Sequence, residues 1–335
     1  MSVKPYLLSV VLLGLGCANP QQTGLPNPPI SPPQIIPSTQ ERPAPQILGV
    51  DYVGTIGRPG QGAAQFLRPA GLAVSAHEII YIADAGNSRV QALYPDGTFA
   101  AEFGARGWRT GEFDSPTDVA IGFQRTELLY VVDAENDRVQ YCNLIDRIFR
   151  VWAGAVSDGV SPDTELNAPR GMGIGRNGEV YIVDTGNHRF IRFSPDGRVE
   201  FTEGRFGSGR EQLRNPTDIV ADSQGNIYLT DTGNHRIKKY DFSGNLVAIW
   251  GAEGTADGQF REPTYLTRDS WNYLYVTDSV NRRIQVLSRT GVFVTAFSHE
   301  SLAQPNGIAV SRSGRVYVSD ATHHDLKVFE VVYQL

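Results

Sequence analysis

Cysteine is almost absent, and the two that occur, Cys17 and Cys142, stand in such different settings that a structural disulfide between them is not expected. Histidine is sparse as well, six in the chain. Neither His-Glu-x-x-His nor Gly-x-Ser-x-Gly occurs, so the zinc-peptidase helix and the strand-turn-helix nucleophile are both excluded. Charge of one sign is missing: 30 Lys and Arg against 36 Asp and Glu give a net charge of −6 and a sequence pI near 5.6, which leaves no electrostatic footprint for nucleic acid. Long helix-periodic segments are missing too. With 35 glycines, the chain reads as nearly all β.

What the chain has is repetition. Aligned on one aspartate, close copies of IYLTDTGNHRIKKYD (Ile227 to Asp241) place it at Asp84, Asp133, Asp184, Asp231, Asp278 and Asp320, at intervals of 49, 51, 47, 47 and 42 residues. Three residues earlier stands a tyrosine in every copy: Tyr81, Tyr130, Tyr181, Tyr228, Tyr275 and Tyr317. Three later comes Asn87, Asn136, Asn187, Asn234 or Asn281, and five later Arg89, Arg138, Arg189, Arg236 or Arg283; the sixth copy has His323 and Asp325 instead. Upstream runs a second register of prolines, Pro69, Pro116, Pro169, Pro216, Pro263 and Pro305, each with Phe or Leu three residues before it. Repeats of this length are propeller blades or solenoid units, which must bury their faces against neighbours.

The first residues lie outside this register. Lys4 precedes an apolar run from Tyr6 to Leu15, the layout of a secretory signal and too short to span a bilayer comfortably. It ends in Gly16-Cys17-Ala18, which resembles a bacterial lipoprotein signal; the resemblance implies cleavage after residue 16 and lipidation of Cys17, although Gly14 stands where that signal usually has leucine. Residues 17–46 are rich in Pro, Gln, Asn, Ser and Thr, with Pro28-Pro29 and Pro32-Pro33. Such a composition buries too little apolar surface to offset chain entropy, so it reads as a tether, reaching roughly 90 Å at about 3.1 Å per residue if fully extended. The expected location is extracytoplasmic, on the envelope side of a lipid anchor.

From Ile47 onward each repeat divides into four strands. In the fourth, TDIVAD, IYLTD, IKKYDF and NLVAIWG are separated by turns at Ser223 to Asn226, GNHR and Ser243-Gly244. Both faces of the second strand carry bulk, as a blade packed between two others requires. The Asp-x-Gly-Asn-x-Arg turn is expected to be structural: Asp and Asn bond nearby backbone, Gly and Asn tolerate positive φ, and the arginine pairs with an aspartate of its own or the next blade. The succession P-x-G-[IL]-A-V, G-N-[IV]-Y-[IV]-x-D-T-G-N-H-R-[IV] and a D-G turn resembles the NHL repeat, from Ile47 to the C-terminus. WD40 repeats are not matched, since their Trp-Asp and Gly-His are missing. The resemblance implies a six-bladed β-propeller of four-stranded antiparallel blades over 47–335. Val50 to Gly57 matches a fourth strand with no partners before it, and the last repeat stops after its third strand, so the two ends are expected to complete one blade and close the ring.

Function is expected where the copies differ. The loops leading into each first strand, Ala105 to Ser115, Ala155 to Ala168 and Glu203 to Asn215, are long and varied, the usual place for recognition on a rigid frame. Trp108, between Arg106 and Arg109, is the leading candidate for a partner contact. Around the channel mouth, Asp118, Arg170, Asp218, Tyr265 and Asn306 are candidates for a polar pocket able to hold a cation or a small anion. Arg268 stands where other copies have Val74, Ile121, Ile174, Ala221 and Val310, and needs a partner or a wet channel. The expected partner is a protein, peptide or envelope component, bound by a monomer, with no assigned chemistry and no cofactor. An enzyme is the alternative: amidating lyases with NHL-like propellers use histidine-held metal just after the repeated proline, where this chain has Ala70, Thr117, Arg170, Thr217, Thr264 and Asn306, so that site is not implied. A lactonase-like calcium site of carboxylates and asparagine at the mouth stays open. Nucleic-acid binding is disfavoured, since loop arginines are matched by acids.

Overall fold

A computed structural model describes residues 44–123, 126–154 and 165–334. The signal segment, Cys17, the tether up to residue 43 and residues 155–164 of the second long loop lie outside them. Six four-stranded antiparallel sheets follow one another around a ring, over 69–103, 116–154, 172–203, 219–250, 263–297 and 305–333; the last takes its fourth strand from Ile47–Ile56. In blade 4 the strands are Ile219–Ala221, Ile227–Asp231, Arg236–Tyr240 and Leu246–Trp250, from the channel outward.

Alternation along the second strand explains the stacking. All five residues of Ile227–Asp231 are buried. Ile227 and Leu229 pack with Tyr181, Val183 and Phe190 of blade 3, whereas Tyr228 packs with Leu266, Leu274 and Val276 of blade 5. Each sheet is therefore core on both faces, and burying each large side chain contributes about 1.5–3 kcal/mol. The same arrangement joins last to first: Ile80 and Ile82 of blade 1 pack with Tyr317, Leu326 and Val328 of blade 6.

The closing strand pairs antiparallel with Asp325–Tyr333, from Ile47 against Tyr333 to Ile56 against Leu326. It begins three residues before Val50, because the partner strand runs on to Tyr333 and supplies ladder groups that far. Tyr52 stacks on His299 with ring centroids 3.7 Å apart and meets Phe329 edge-on at 5.6 Å, so this histidine, isolated in sequence, sits under the closure. Below it, Tyr273 donates its hydroxyl to the Pro45 carbonyl at 3.0 Å. The chain thus joins the propeller on the face of the turns between first and second strands, opposite the loops leading into the first strands. Deleting Val50 to Gly57 is expected to leave an unpaired sheet edge and to lower the melting temperature by at least about 10 °C, with aggregation on a sizing column; a deletion variant that melts and elutes like the parent contradicts closure by this strand.

Candidate functional site

The repeated aspartate organises the loop-bearing face. In blade 4 Asp231 is fully buried; its Oδ1 accepts the Arg214 backbone N–H at 2.8 Å, and its Oδ2 accepts from Arg236 Nε at 2.7 Å and Asn234 Nδ2 at 2.9 Å. Asn234 Nδ2 also donates to the Gly207 carbonyl, and Arg236 Nη2 to the carbonyls of Gly209 and Gln212. Asp84, Asn87 and Arg89 hold the loop at Gly60 to Leu67 in the same way, and Asp133, Asn136 and Arg138 hold Gly107 to Asp114. Asp184, Asn187 and Arg189, and then Asp278, Asn281 and Arg283, repeat the core of the pattern. Each arginine pairs with its own blade's aspartate. In the sixth copy His323 Nδ1 takes the asparagine's place, 3.0 Å from Asp320 Oδ2.

One further member of this clamp also recurs in the sequence. Two residues beyond the arginine, Gln91, Gln140 and Gln285 donate to the carbonyls of Gln65, Glu112 and Gln259. In blade 4 the position is Lys238, fully buried, whose Nζ donates to the carbonyls of Arg210 and Gln212; burial pulls its pKa down to about 8. Its mark in the sequence is the repeated glutamine itself, with lysine substituting as a longer donor.

Positive φ falls elsewhere than expected. It belongs to the residue after the asparagine: Ser88, Asp137, His188, His235, Arg282 and His324, with φ between 49° and 58°. Gly86, Gly186 and Gly233 are required for proximity instead: a Cβ on them would lie 2.6, 2.7 and 2.8 Å from the carbonyl oxygens of Leu67, Asn167 and Arg214. Those carbonyls accept the glycine N–H at 2.8 Å, whereas Glu135 and Val280, which carry side chains there, make the corresponding bonds at 3.2 and 3.3 Å. The left-handed histidines have a task of their own: the Nδ1 atoms of His188, His235 and His324 accept backbone N–H groups of Asn215, Glu262 and Arg68, each in the loop leading into the next blade.

Four of the leading loops, those into blades 1, 2, 4 and 5, share a frame. Bridges at Pro59 with Phe66, Arg106 with Phe113, Phe206 with Leu213 and Glu253 with Phe260 recur at one position, and Phe66, Phe113, Leu213 and Phe260 plug them into the core. In these four loops the exposed aromatic residues lie at the tips. Trp108 is 70 % exposed, with the Arg109 guanidinium 5.9 Å from its ring centroid, and Phe206 is 63 % exposed. Arg106 lies 3.8 Å from Asp114, both largely in solvent, a pairing of little energetic weight.

The five mouth candidates do not form one pocket. Arg170 is exposed and Asn306 half-buried, but Asp118, Asp218 and Tyr265 are buried one layer down. That layer, two residues beyond each proline, reads Gly71, Asp118, Gly171, Asp218, Tyr265 and Gly307 around the ring; the Asp118 and Asp218 carboxyls fill space that a side chain on Gly71 or Gly171 would need. Asp118 Oδ2 accepts the Met172 N–H and Asp218 Oδ2 the Leu266 N–H, both at 2.9 Å, tying blade 2 to blade 3 and blade 4 to blade 5. Tyr265 crosses the ring to donate its hydroxyl to the Thr117 carbonyl at 2.7 Å, so the mouth is barred at this level. Beneath the bar a cavity of about 430 Å³ runs along the first strands to the opposite face, past Arg268 to Asp269, Ser270 and Arg312.

Burial raises Asp218 to about 7, and burial together with the Asp218 charge raises Asp118 well above the usual carboxylate range. A carboxyl whose pKa is higher folded than unfolded holds its proton in the native state after the unfolded chain has lost it. Its contribution is therefore fully present below about pH 4 and is lost as pH rises through about 7. Asp218→Asn, which cannot ionise, is expected to flatten the fall in melting temperature between about pH 4 and pH 7. Parallel melting profiles for parent and variant contradict the assignment.

The NHL repeat family model matches residues 66–93, 213–240 and 302–329, the leading-loop anchor through third strand of blades 1, 4 and 6. Protein brain tumor from Drosophila melanogaster is 26 % identical over 148 residues, 44 % of this chain, which spans 13 % of that protein's length. A gluconolactonase from Xanthomonas campestris superposes with a TM-score of 0.61 at 15 % identity, over 87 % of this chain and 99 % of its own. Virginiamycin B lyase from Staphylococcus aureus gives 0.55 at 15 % identity, over 81 % and 82 %. At such identities the two structures speak for the fold alone. Six sheets in a ring and a closing strand from the N-terminal side give the six-bladed β-propeller fold, and three of its blades carry the NHL repeat.

Proposed function

We propose that the chain is an extracytoplasmic, lipid-anchored binding module that engages a protein, peptide or envelope component through its loop-bearing face. The observation that carries this reading is Trp108: a large aromatic left 70 % exposed at the tip of a loop whose backbone is fixed by Asp133, Asn136, Arg138 and Gln140. Ordering a flexible loop on binding opposes association, and a loop already clamped avoids that cost. Tryptophan and arginine are also the side chains that most often dominate interfaces, and Arg109 stands over the Trp108 ring.

The repeated polar residues support the same view by being occupied. Their donors and acceptors hold backbone, which leaves the loop tips to contact a partner. The competing reading, a metal-dependent lyase or lactonase-type hydrolase at the mouth, needs converging ligands. Among the described residues no three His, Cys, Asp or Glu side chains group so as to hold an ion, and the Tyr265 hydroxyl bars the channel there.

Attachment suits presentation. The described chain enters the propeller on the face opposite the leading loops, away from Trp108. Cys17→Ser is expected to move the protein from the membrane to the soluble extracytoplasmic fraction; retention in the membrane fraction refutes the anchor. Trp108→Ala with Arg109→Ala is expected to remove at least about two thirds of the species crosslinked to the parent in whole cells, with the melting temperature unchanged. An identical crosslinked set would mean that this face is not the one used.

A further inference from the structure

Arg268 has no counterpart in the other five blades, whose equivalent residues are Val74, Ile121, Ile174, Ala221 and Val310. Its guanidinium is held from two sides: Nε donates to the Ala221 carbonyl at 2.9 Å and Nη1 to Asn272 Oδ1 at 3.0 Å. Both acceptors are neutral. Among the described residues no carboxylate lies within ion-pair distance of it and no protein acceptor meets Nη2; burial lowers its pKa, while the more distant charges of Asp222, Tyr228 and Asp269 hold it up. A guanidinium fixed in place, partly desolvated and with no carboxylate in direct contact can still take an anion as the partner of a charge-assisted pair.

It also lines a cavity of a size that suits small molecules. The space below the Tyr265 bar measures about 430 Å³, and a second of about 530 Å³ shares Val74, Ile121, Val310, Ser311 and Arg312 with it, so the channel widens toward the face of the turns. Small-molecule pockets span roughly 300–1,000 Å³ and combine apolar walls with few polar groups. Here Ile121, Ile174, Ile308 and Val310 supply the walls, and Arg312 places a second arginine at the rim. Asp269 at that rim is already engaged, accepting from the Tyr333 hydroxyl at 2.8 Å and from the backbone of Trp271 and Tyr273. At the inner end the Asp118 and Asp218 carboxyls are taken up by backbone N–H groups.

We propose that the channel is a binding site for a small organic anion, entered from the face of the turns, with its carboxylate or phosphate group paired to Arg268 and its less polar body against the aliphatic wall. This site lies on the opposite side of the Tyr265 bar from the mouth and is independent of the loop-bearing face.

The test is calorimetric titration of the full chain with two probes, citrate and inorganic phosphate, which separate a carboxylate from a phosphate preference. The parent is expected to show saturable binding of at least one probe, and Arg268→Leu, which restores the aliphatic residue of the other blades, is expected to weaken it at least about tenfold, the scale of losing one charge-assisted pair. Arg268→Lys should retain part of the affinity, and Trp108→Ala all of it. Should Arg268→Leu melt early, Arg268→Gln carries the comparison. The proposal is overturned if neither probe saturates the parent, if Arg268→Leu and Arg268→Gln bind as the parent does, or if Trp108→Ala abolishes binding. Because Trp108→Ala is scored separately by crosslinking, failure of the channel site leaves the reading of the loop-bearing face standing, and the reverse.

Discussion

A carboxylate with no exposure to water, at the end of every second strand, is the constraint from which the rest of this propeller follows. Such a group is tolerated only when its lone pairs are met by donors. In the complete copies the donors are a loop N–H, an asparagine amide and an arginine, and two of these reach onward to loop carbonyls. Because charge-assisted hydrogen bonds each contribute about 1.5–3 kcal/mol, the network outweighs the local preferences of the loop sequence. Loops of quite different composition consequently adopt one shape.

Two kinds of glue then join the blades, and they sit at different radii. Away from the axis the contact is apolar: the two faces of each second strand insert between neighbours, and the stacking continues across the junction of first and last blades. At the axis it is polar, through Asp118, Asp218 and the Tyr265 hydroxyl. The alternation of glycine with aspartate in that layer is a packing solution, since six side chains of ordinary size cannot meet at one level of so narrow a ring.

The architecture was legible because period and closure are properties of pattern. Tyrosine, aspartate, asparagine and arginine at fixed offsets reported the blades, and an orphan strand at Val50 reported the seam. The parts that escaped are those in which position in space, not in sequence, sets the role. Gly86 and Gly233 look like residues chosen for positive φ, but they are glycines because a carbonyl from the leading loop approaches them; the left-handed conformation falls to His188 and His235, which the sequence offers no reason to single out. Asp118, Arg170 and Tyr265 follow the repeated prolines and read as one pocket, yet Asp118 and Tyr265 stand two residues beyond the proline and are buried, whereas Arg170 stands one beyond it and remains in solvent. Arg268 was recognisable as an anomaly; the cavity beside it was not.

The Asp-Asn-Arg clamp ties a leading loop to the strands that come after it, as Asp231, Asn234 and Arg236 do with Gly207 to Arg214. The module that holds itself together is therefore loop plus three inner strands, whereas the sheet seen in cross-section counts the outer strand as its fourth. In chain order each outer strand is followed by the next leading loop, so the sequence repeat and the sheet are out of phase by one strand, and the last sheet takes its outer strand from the N-terminal side. The seam at Ile47–Ile56 is the arithmetic remainder of that offset.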